Sequence, residues 1–332
     1  MENLALIDSF AEFKDDKNID RVTLMGIIED VFRNMIIKKY GSDDNFDIIV
    51  NPDKGDLEIW RNRIVVKDED VEDSNAEIAY TDAIKIEPDF EVGEEVSEEV
   101  HLIDFGRRAI LSLRQNLISR IQEHDNTDLY NKYKELVGEI ISGEVHHIRN
   151  REVIIIDDMD NEVILPKDQQ IRSDFFRKGD NIRGVVKEVQ LKGMKPRIVL
   201  SRTSPKFLER LFEQEIPEVA DGLIIVKRVE RIPGEKAKVA VESYDERIDP
   251  VGACVGMKGS RIHGIVRELG NENIDVINYT SNKSLFISRA LSPAKVSSIT
   301  IDEDNSRAEV FLKPDQVSLA IGRGGTNIRL AG

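Results

Sequence analysis

The feature that most constrains this 332-residue chain is a self-match near its end, at an offset of 66 residues. Asp249-Pro-Val-Gly-Ala-Cys-Val-Gly256-Met-Lys-Gly259-Ser-Arg-Ile262 lines up with Asp315-Gln-Val-Ser-Leu-Ala-Ile-Gly322-Arg-Gly-Gly325-Thr-Asn-Ile328. The Asp, the Val, both outer glycines and the last Ile coincide. Ser stands against Thr, and Val against Ile. Upstream of each copy lies an alternating pattern that predicts a β-hairpin, Gly222 to Val229 with Ala237 to Glu242 and Val296 to Asp302 with Ala308 to Leu312. Each copy is therefore expected to fold as hairpin, short helix, GxxG loop and helix.

A lone GxxG occurs by chance. Two, each preceded by a small-residue helix and followed by a helix bearing Arg261 or Arg329, point to one use of the backbone. A Cβ would keep the chain away from a sugar-phosphate strand, and the N-terminus of the helix behind the loop offers free N–H groups. Lys258 and Arg323 stand inside the loops as cations. Neither loop holds an aromatic ring, so nucleotides would be gripped by the backbone and read at their edges rather than stacked.

Between residues 138 and 201 the texture is of short strands. Glu139–Val145, Val153–Ile156, Glu162–Leu165, Asn181–Val189 and Arg197–Ser201 make five β segments separated by turn signals, which predicts a five-stranded OB-type barrel. Gly138-Glu-Ile-Ile-Ser-Gly-Glu-Val145, Ile164-Leu-Pro166, Arg177-Lys-Gly-Asp180 and Leu200-Ser-Arg202 resemble the S1 RNA-binding domain along its strands. The chain departs from that pattern where many S1 domains display a pair of Phe. Its ring side chains between 138 and 201 are His146, His147, Phe175 and Phe176, and residues 135–203 balance 12 acidic against 12 basic groups. Weak RNA contact is expected here, with Arg149, Lys192, Lys195, Arg197 and Arg202 as phosphate candidates. His146 and His147 are either rings open to a base or, with one facing the core and the other water, ordinary strand residues.

The formal charge of the whole chain is −16, which argues against a nucleic-acid binder until it is divided. Residues 1–134 carry 32 acidic and 17 basic side chains, whereas residues 135–332 carry 31 and 30. The acidity belongs to a separate N-terminal block. Helical periodicity runs over 3–15 and over 20–40, the second to a stop at Gly41. Phe46–Val50 and Leu57–Arg61 flank a turn at Pro52–Asp56, and Ile64–Val66 follows, giving a small antiparallel sheet. Ser74-Asn-Ala-Glu77 fits a capping box for a short helix, and Asp104 can cap a long helix from about Gly106 to about Ile141. The block reads as α+β.

Catalytic patterns are missing. Val255-Gly-Met-Lys-Gly-Ser260 is no P-loop, because Met257 and Gly259 interrupt the required order, and there is no GxGxxG after a strand, no HExxH and no GxSxG. Five scattered His and the single Cys254 form no triad, and no cofactor is implied. One cysteine excludes an internal disulfide framework and fits a reducing cytosol; Cys254 is expected as a small buried hydrophobe. The longest apolar runs, such as Val153–Ile156, fall far below the ~20 residues of a membrane span, and a cytoplasmic protein with no membrane partner is expected.

The order of acidic α+β block, S1 barrel and two GxxG units is similar to that of the NusA family of bacterial transcription factors. So are Arg247–Gly259, Leu291-Ser-Pro-Ala-Lys295 and Ala320-Ile-Gly-Arg-Gly-Gly325. The resemblance implies a multidomain α+β chain with an RNA-polymerase-binding domain at 1–134, an S1 domain at 135–203 and type II KH domains at 204–281 and 282–332. The last is incomplete, since Gly332 maps onto Val266. By this resemblance Gly256, Met257, Lys258, Gly259, Gly322, Arg323, Gly324 and Gly325 contact RNA, with Arg261, Asn327 and Arg329 on the helices behind them. The implied partners are RNA polymerase, single-stranded nascent RNA and other Nus-type factors. The implied role is modulation of pausing, termination and antitermination without catalysis. The alternatives are an RNA-processing protein or a ribosome-associated RNA-binding protein carrying S1 and KH modules.

Overall fold

The computed structural model describes residues 19–51, 56–193 and 195–332. The expected helix at 3–15 and residues 52–55 of the expected turn lie outside the described residues. The chain divides into two compact units, Met1–Leu129 and Tyr130–Gly332.

The first unit begins with helix α1 (Arg21–Tyr40). The Asp20 carboxylate accepts the N–H groups of Val22 and Thr23 at its start, and Gly41, at φ 88°, takes the left-handed conformation that ends it. The apolar stripe buries Leu24, Ile28, Val31, Phe32, Met35 and Ile36, while Val22 points to solvent. Strands β1 (Phe46–Asn51) and β2 (Asp56–Val66) form the expected hairpin. β3 (Glu77–Ala79) adds to β2 in parallel and β4 (Glu95–Glu99) adds antiparallel. Ser74 is no cap. Residues 77–79 are drawn into the sheet by Ile64–Val66, and the Glu77 carboxylate turns back to accept the N–H groups of Glu72 and Asp73. The short helix α2 (Tyr80–Ile86) follows with no side-chain cap.

Asp104 does not cap the long helix either. It closes a capping box with His101 around the 3₁₀ turn Leu102–Phe105, and α3 (Arg107–Glu135) starts beyond Gly106. Leu113, Leu117 and Ile121 of α3 pack on α1 and on Ile59. The helix ends at Glu135, six residues short of the expected limit, because Gly138 and the residues after it are claimed by the barrel: the Gly138 N–H donates to the Val186 carbonyl.

In the second unit, β5 (Ile140–Ile148), β6 (Glu152–Asp157), β7 (Glu162–Pro166), β8 (Asn181–Lys192) and β9 (Lys195–Ser201) close into a barrel of order β5-β6-β7-β9-β8. Val145, Val153, Ile155, Val163, Leu165, Ile182, Ile198 and Leu200 are buried. Gly143 sits where strands cross closely: a Cβ there would lie 2.4 Å from the Ile156 carbonyl oxygen. Tyr133, from the last turns of α3, is fully buried with its hydroxyl donating to the Asp157 carboxylate. A bulge between Val145 and His147 breaks the alternation of β5. His146 and His147 are therefore both exposed, which removes the reading with one in and one out.

The first GxxG unit comprises α4 (Pro205–Glu215), α5 (Pro217–Ala220), β10 (Ile224–Ile232), β11 (Lys236–Ser243), α6 (Pro250–Val255), α7 (Ile262–Glu268) and β12 (Asn273–Asn278). The hairpin β10–β11 is extended by β12, parallel to β11. Phe207, Leu208, Leu211 and Phe212 of α4 fill its core against Val239, Val241, Cys254, Ile265 and Leu269. The second unit repeats the plan with α8 (Lys283–Ala290), β13 (Val296–Asp302), β14 (Arg307–Leu312), α9 (Pro314–Ile321) and α10 (Thr326–Ala331). No described helix is long and apolar enough to cross a membrane.

Candidate RNA interface

The two GxxG loops share one backbone. Gly256 and Gly322 hold φ 74° in both, with ψ of 171° and 168°. Lys258 and Gly324, the third positions, lie in the left-handed region at φ 54° and 62°, and Gly259 and Gly325 follow at 78° and 73°. The first glycine is required by packing as well as by φ. A Cβ on Gly256 would fall 2.9 Å from Arg261 Cγ, and one on Gly322 would fall 2.6 Å from Asn327 Cβ. The helix after each loop thus presses directly onto the loop's first residue.

At the loop tips, Met257, Lys258, Arg323 and Gly324 are exposed, Met257 to 89 %. Lys258 and Arg323 have no ion-pair partner among the described residues, so both cations are free to meet a phosphate. Arg329, exposed on the following helix, leans back onto the Gly324 carbonyl at 3.3 Å. Beside the second loop runs a groove of about 950 Å³. Arg323, Arg329 and Gly322 line it together with Glu235, Lys236 and Asn273 of the first GxxG unit, where Lys236 is paired with Asp275. Lys236 went unnoticed in the sequence because nothing there relates it to a loop 87 residues further on; the fold alone brings them together.

Two residues expected at the RNA surface do other work. Asn327 is 1 % exposed, and its amide donates to the carbonyls of Leu291, Leu319 and Ala320. Arg261 occupies the same place in the first copy. It is half-buried and donates to the Ala253 carbonyl and the Glu218 carboxylate, both through Nη1. Ala253 and Leu319 are themselves equivalent positions, so in both copies this residue ties the loop to the short helix before it. The chemistry is shared although the residue types differ. Cys254 is buried in the same core, and burial pushes its thiol up to about 12.

The barrel candidates separate in the same way. Arg202 is no phosphate ligand: it is 5 % exposed and donates to Asp174, to Glu268 and to the carbonyls of Arg183 and Glu268. It holds the barrel to the last residue of α7. Next to it Arg231 and Glu272 form a fully buried bidentate pair, with Arg231 also donating to the Arg202 and Ser204 carbonyls. Arg149 and Arg197 both pair with Glu152, which offsets part of their charge. Lys192 and Lys195, at the β8–β9 turn, face each other across the hairpin and have no ion-pair partner among the described residues.

An OB-type barrel followed by two tandem GxxG units of type II KH plan defines a class, the single-stranded-RNA-binding modules. Family models match three stretches: the NusA N-terminal domain residues 5–127, the NusA-like first KH domain 202–279 and the NusA-like second KH domain 283–332. Three relatives bear the name transcription termination/antitermination protein NusA. That of Thermus thermophilus is 38 % identical over 291 residues, covering 88 % of this chain and 75 % of its own length. That of Bacillus subtilis is 32 % identical over 326 residues, covering 98 % and 87 %. That of Rickettsia prowazekii is 35 % identical over 334 residues, with 100 % of this chain spanning 65 % of the relative. The chain belongs to the NusA family.

Proposed function

We propose that this chain is a transcription termination/antitermination factor that holds single-stranded nascent RNA while docked on RNA polymerase. In this reading residues 1–134 form the polymerase-binding domain. Residues 135–203, 204–281 and 282–332 form the S1, first KH and second KH domains that receive the transcript, and other Nus-type factors join the complex. The chain acts by binding, not by catalysis. The observation that carries the reading is the pair of GxxG loops with one backbone conformation, each presenting at its exposed tip a cation with no ion-pair partner among the described residues. The names of the relatives support the transcriptional role, and the acidic N-terminal block supports a protein rather than an RNA partner for that part.

Reversing both loop cations tests the RNA site. Lys258→Asp with Arg323→Asp should weaken binding of single-stranded RNA by tenfold or more, roughly, in a filter-binding titration, with circular dichroism unchanged; unchanged affinity rejects the assignment. The log–log salt slope of the native chain should be shallow, on the order of −2 to −4 for ~3–6 phosphates at ~0.7 each. For docking, deleting residues 1–129, which leaves Tyr133 and its bond to Asp157 in place, should abolish retention on immobilised RNA polymerase while RNA binding persists. A deleted chain that is still retained refutes the docking role.

A further inference from the structure

We infer that the barrel carries a base-stacking platform made by His146 and His147, flanked by Arg177 and Lys178, and that it takes a nucleobase of the same single-stranded RNA. The inference rests on the RNA-binding reading above. The two imidazoles lie nearly parallel, with ring centroids 4.8 Å apart and planes 10° from each other, and both are exposed. The bulge between Val145 and His147 creates this arrangement, because regular alternation would send consecutive side chains to opposite faces. One ring is held in place: His147 Nδ1 is 2.7 Å from the His146 carbonyl, and since a carbonyl only accepts, Nδ1 carries the proton. A preorganised pair of rings loses little side-chain freedom when a third ring joins the stack.

Cations are brought alongside by the backbone. The Val145 N–H donates to the Asp180 carbonyl and the Gly179 N–H donates to the Val145 carbonyl, so residues 177–180 run beside β5 just before the histidines. Arg177 and Lys178 are exposed there without an ion-pair partner among the described residues, and the Arg177 guanidinium sits 5.7 Å from the centre of the 78 % exposed Phe175 ring. Of the carboxylates in these two stretches, Glu144 is exposed and Asp180 accepts the Arg177 N–H. Rings beside free cations are what a single strand needs, base faces for the rings and phosphates for the cations. The KH loops lack rings, so this platform supplies the stacking that they cannot.

The test uses the full chain with a short oligoadenylate and an abasic oligomer of the same length and charge. His146→Ala with His147→Ala should weaken oligoadenylate binding by about tenfold and abasic binding hardly at all. His146→Phe with His147→Phe should restore affinity, because a ring is retained while the imidazole is lost. Both residues are exposed, so unchanged circular dichroism is expected. Unchanged oligoadenylate affinity in the Ala pair overturns the platform, as does equal loss on both oligomers or equal loss in the Ala and Phe pairs. Lys258→Asp with Arg323→Asp is measured alongside. If it also binds as the native chain does, the RNA-binding reading itself fails; if it alone loses affinity, only the platform fails.

Discussion

The two GxxG units reach the same loop from different supports. The first is welded to the barrel by Arg202 and by the buried Arg231–Glu272 pair, and four apolar side chains of α4 fill its core. In the second copy the buried cluster is Leu291, Ala294 and Ala320. Nevertheless the loop dihedrals agree to within a few degrees at the first glycine. The loop conformation is therefore fixed locally, by glycine and by the tie to the preceding helix, and the surrounding core decides only how firmly it is held.

The strongest way to break this comparison is to remove the weld. Glu272→Ala leaves Arg231 charged and buried with no counter-ion, which should cost about 3–5 kcal/mol of stability, read by urea unfolding of the full chain. Ser297→Ala, at the exposed bulge of the second hairpin, should change stability by no more than ~0.5 kcal/mol. Equal effects would show that the units are supported alike.

The loops themselves come next. Gly322→Ala sets a Cβ 2.6 Å from Asn327 Cβ, part of a side chain anchored by three carbonyls. It should cost about 2–3 kcal/mol by thermal or urea unfolding. Gly256→Ala meets Arg261 Cγ at 2.9 Å, on a longer side chain that can give way, and should cost less. Asn327→Ala should also destabilise, by roughly 1–3 kcal/mol, because three carbonyls lose their donor. An Asn327→Ala variant of native stability but weakened RNA affinity would instead return that residue to the RNA surface.

These contrasts also mark what the sequence could carry. The repeat, the helix at 21–40 and the five barrel strands were legible because their signals are local: paired glycines, a 3.6-residue stripe between Asp20 and Gly41, and alternation broken by turns. The ties were not. Arg202 ends the Leu-Ser-Arg stretch of the last barrel strand, where an arginine reads as an exposed cation; its partners Asp174 and Glu268 come from a barrel loop and a KH helix. Arg261 and Asn327 do one job with different side chains, so an alignment of residue types conceals it. The shared exposure of His146 and His147 was not legible, because a single-residue bulge reverses every later side chain and no residue there announces it.

The smallest effect concerns the third loop position, where the copies differ in residue and agree in conformation. Lys258 holds a left-handed φ of 54° that Gly324 adopts at 62°. A non-glycine residue there costs roughly 1–2 kcal/mol, partly offset by the greater freedom of glycine in the unfolded chain. Lys258→Gly should thus stabilise the chain slightly, by less than ~1 kcal/mol, while weakening RNA binding through the lost cation. Gly324→Lys should do the reverse, lowering stability by about 1 kcal/mol and tightening RNA. A first loop that tolerates strain in order to place a charge predicts these opposite signs. Stability and affinity that move together in both variants would mean that the Lys258 backbone is relaxed and its cation incidental.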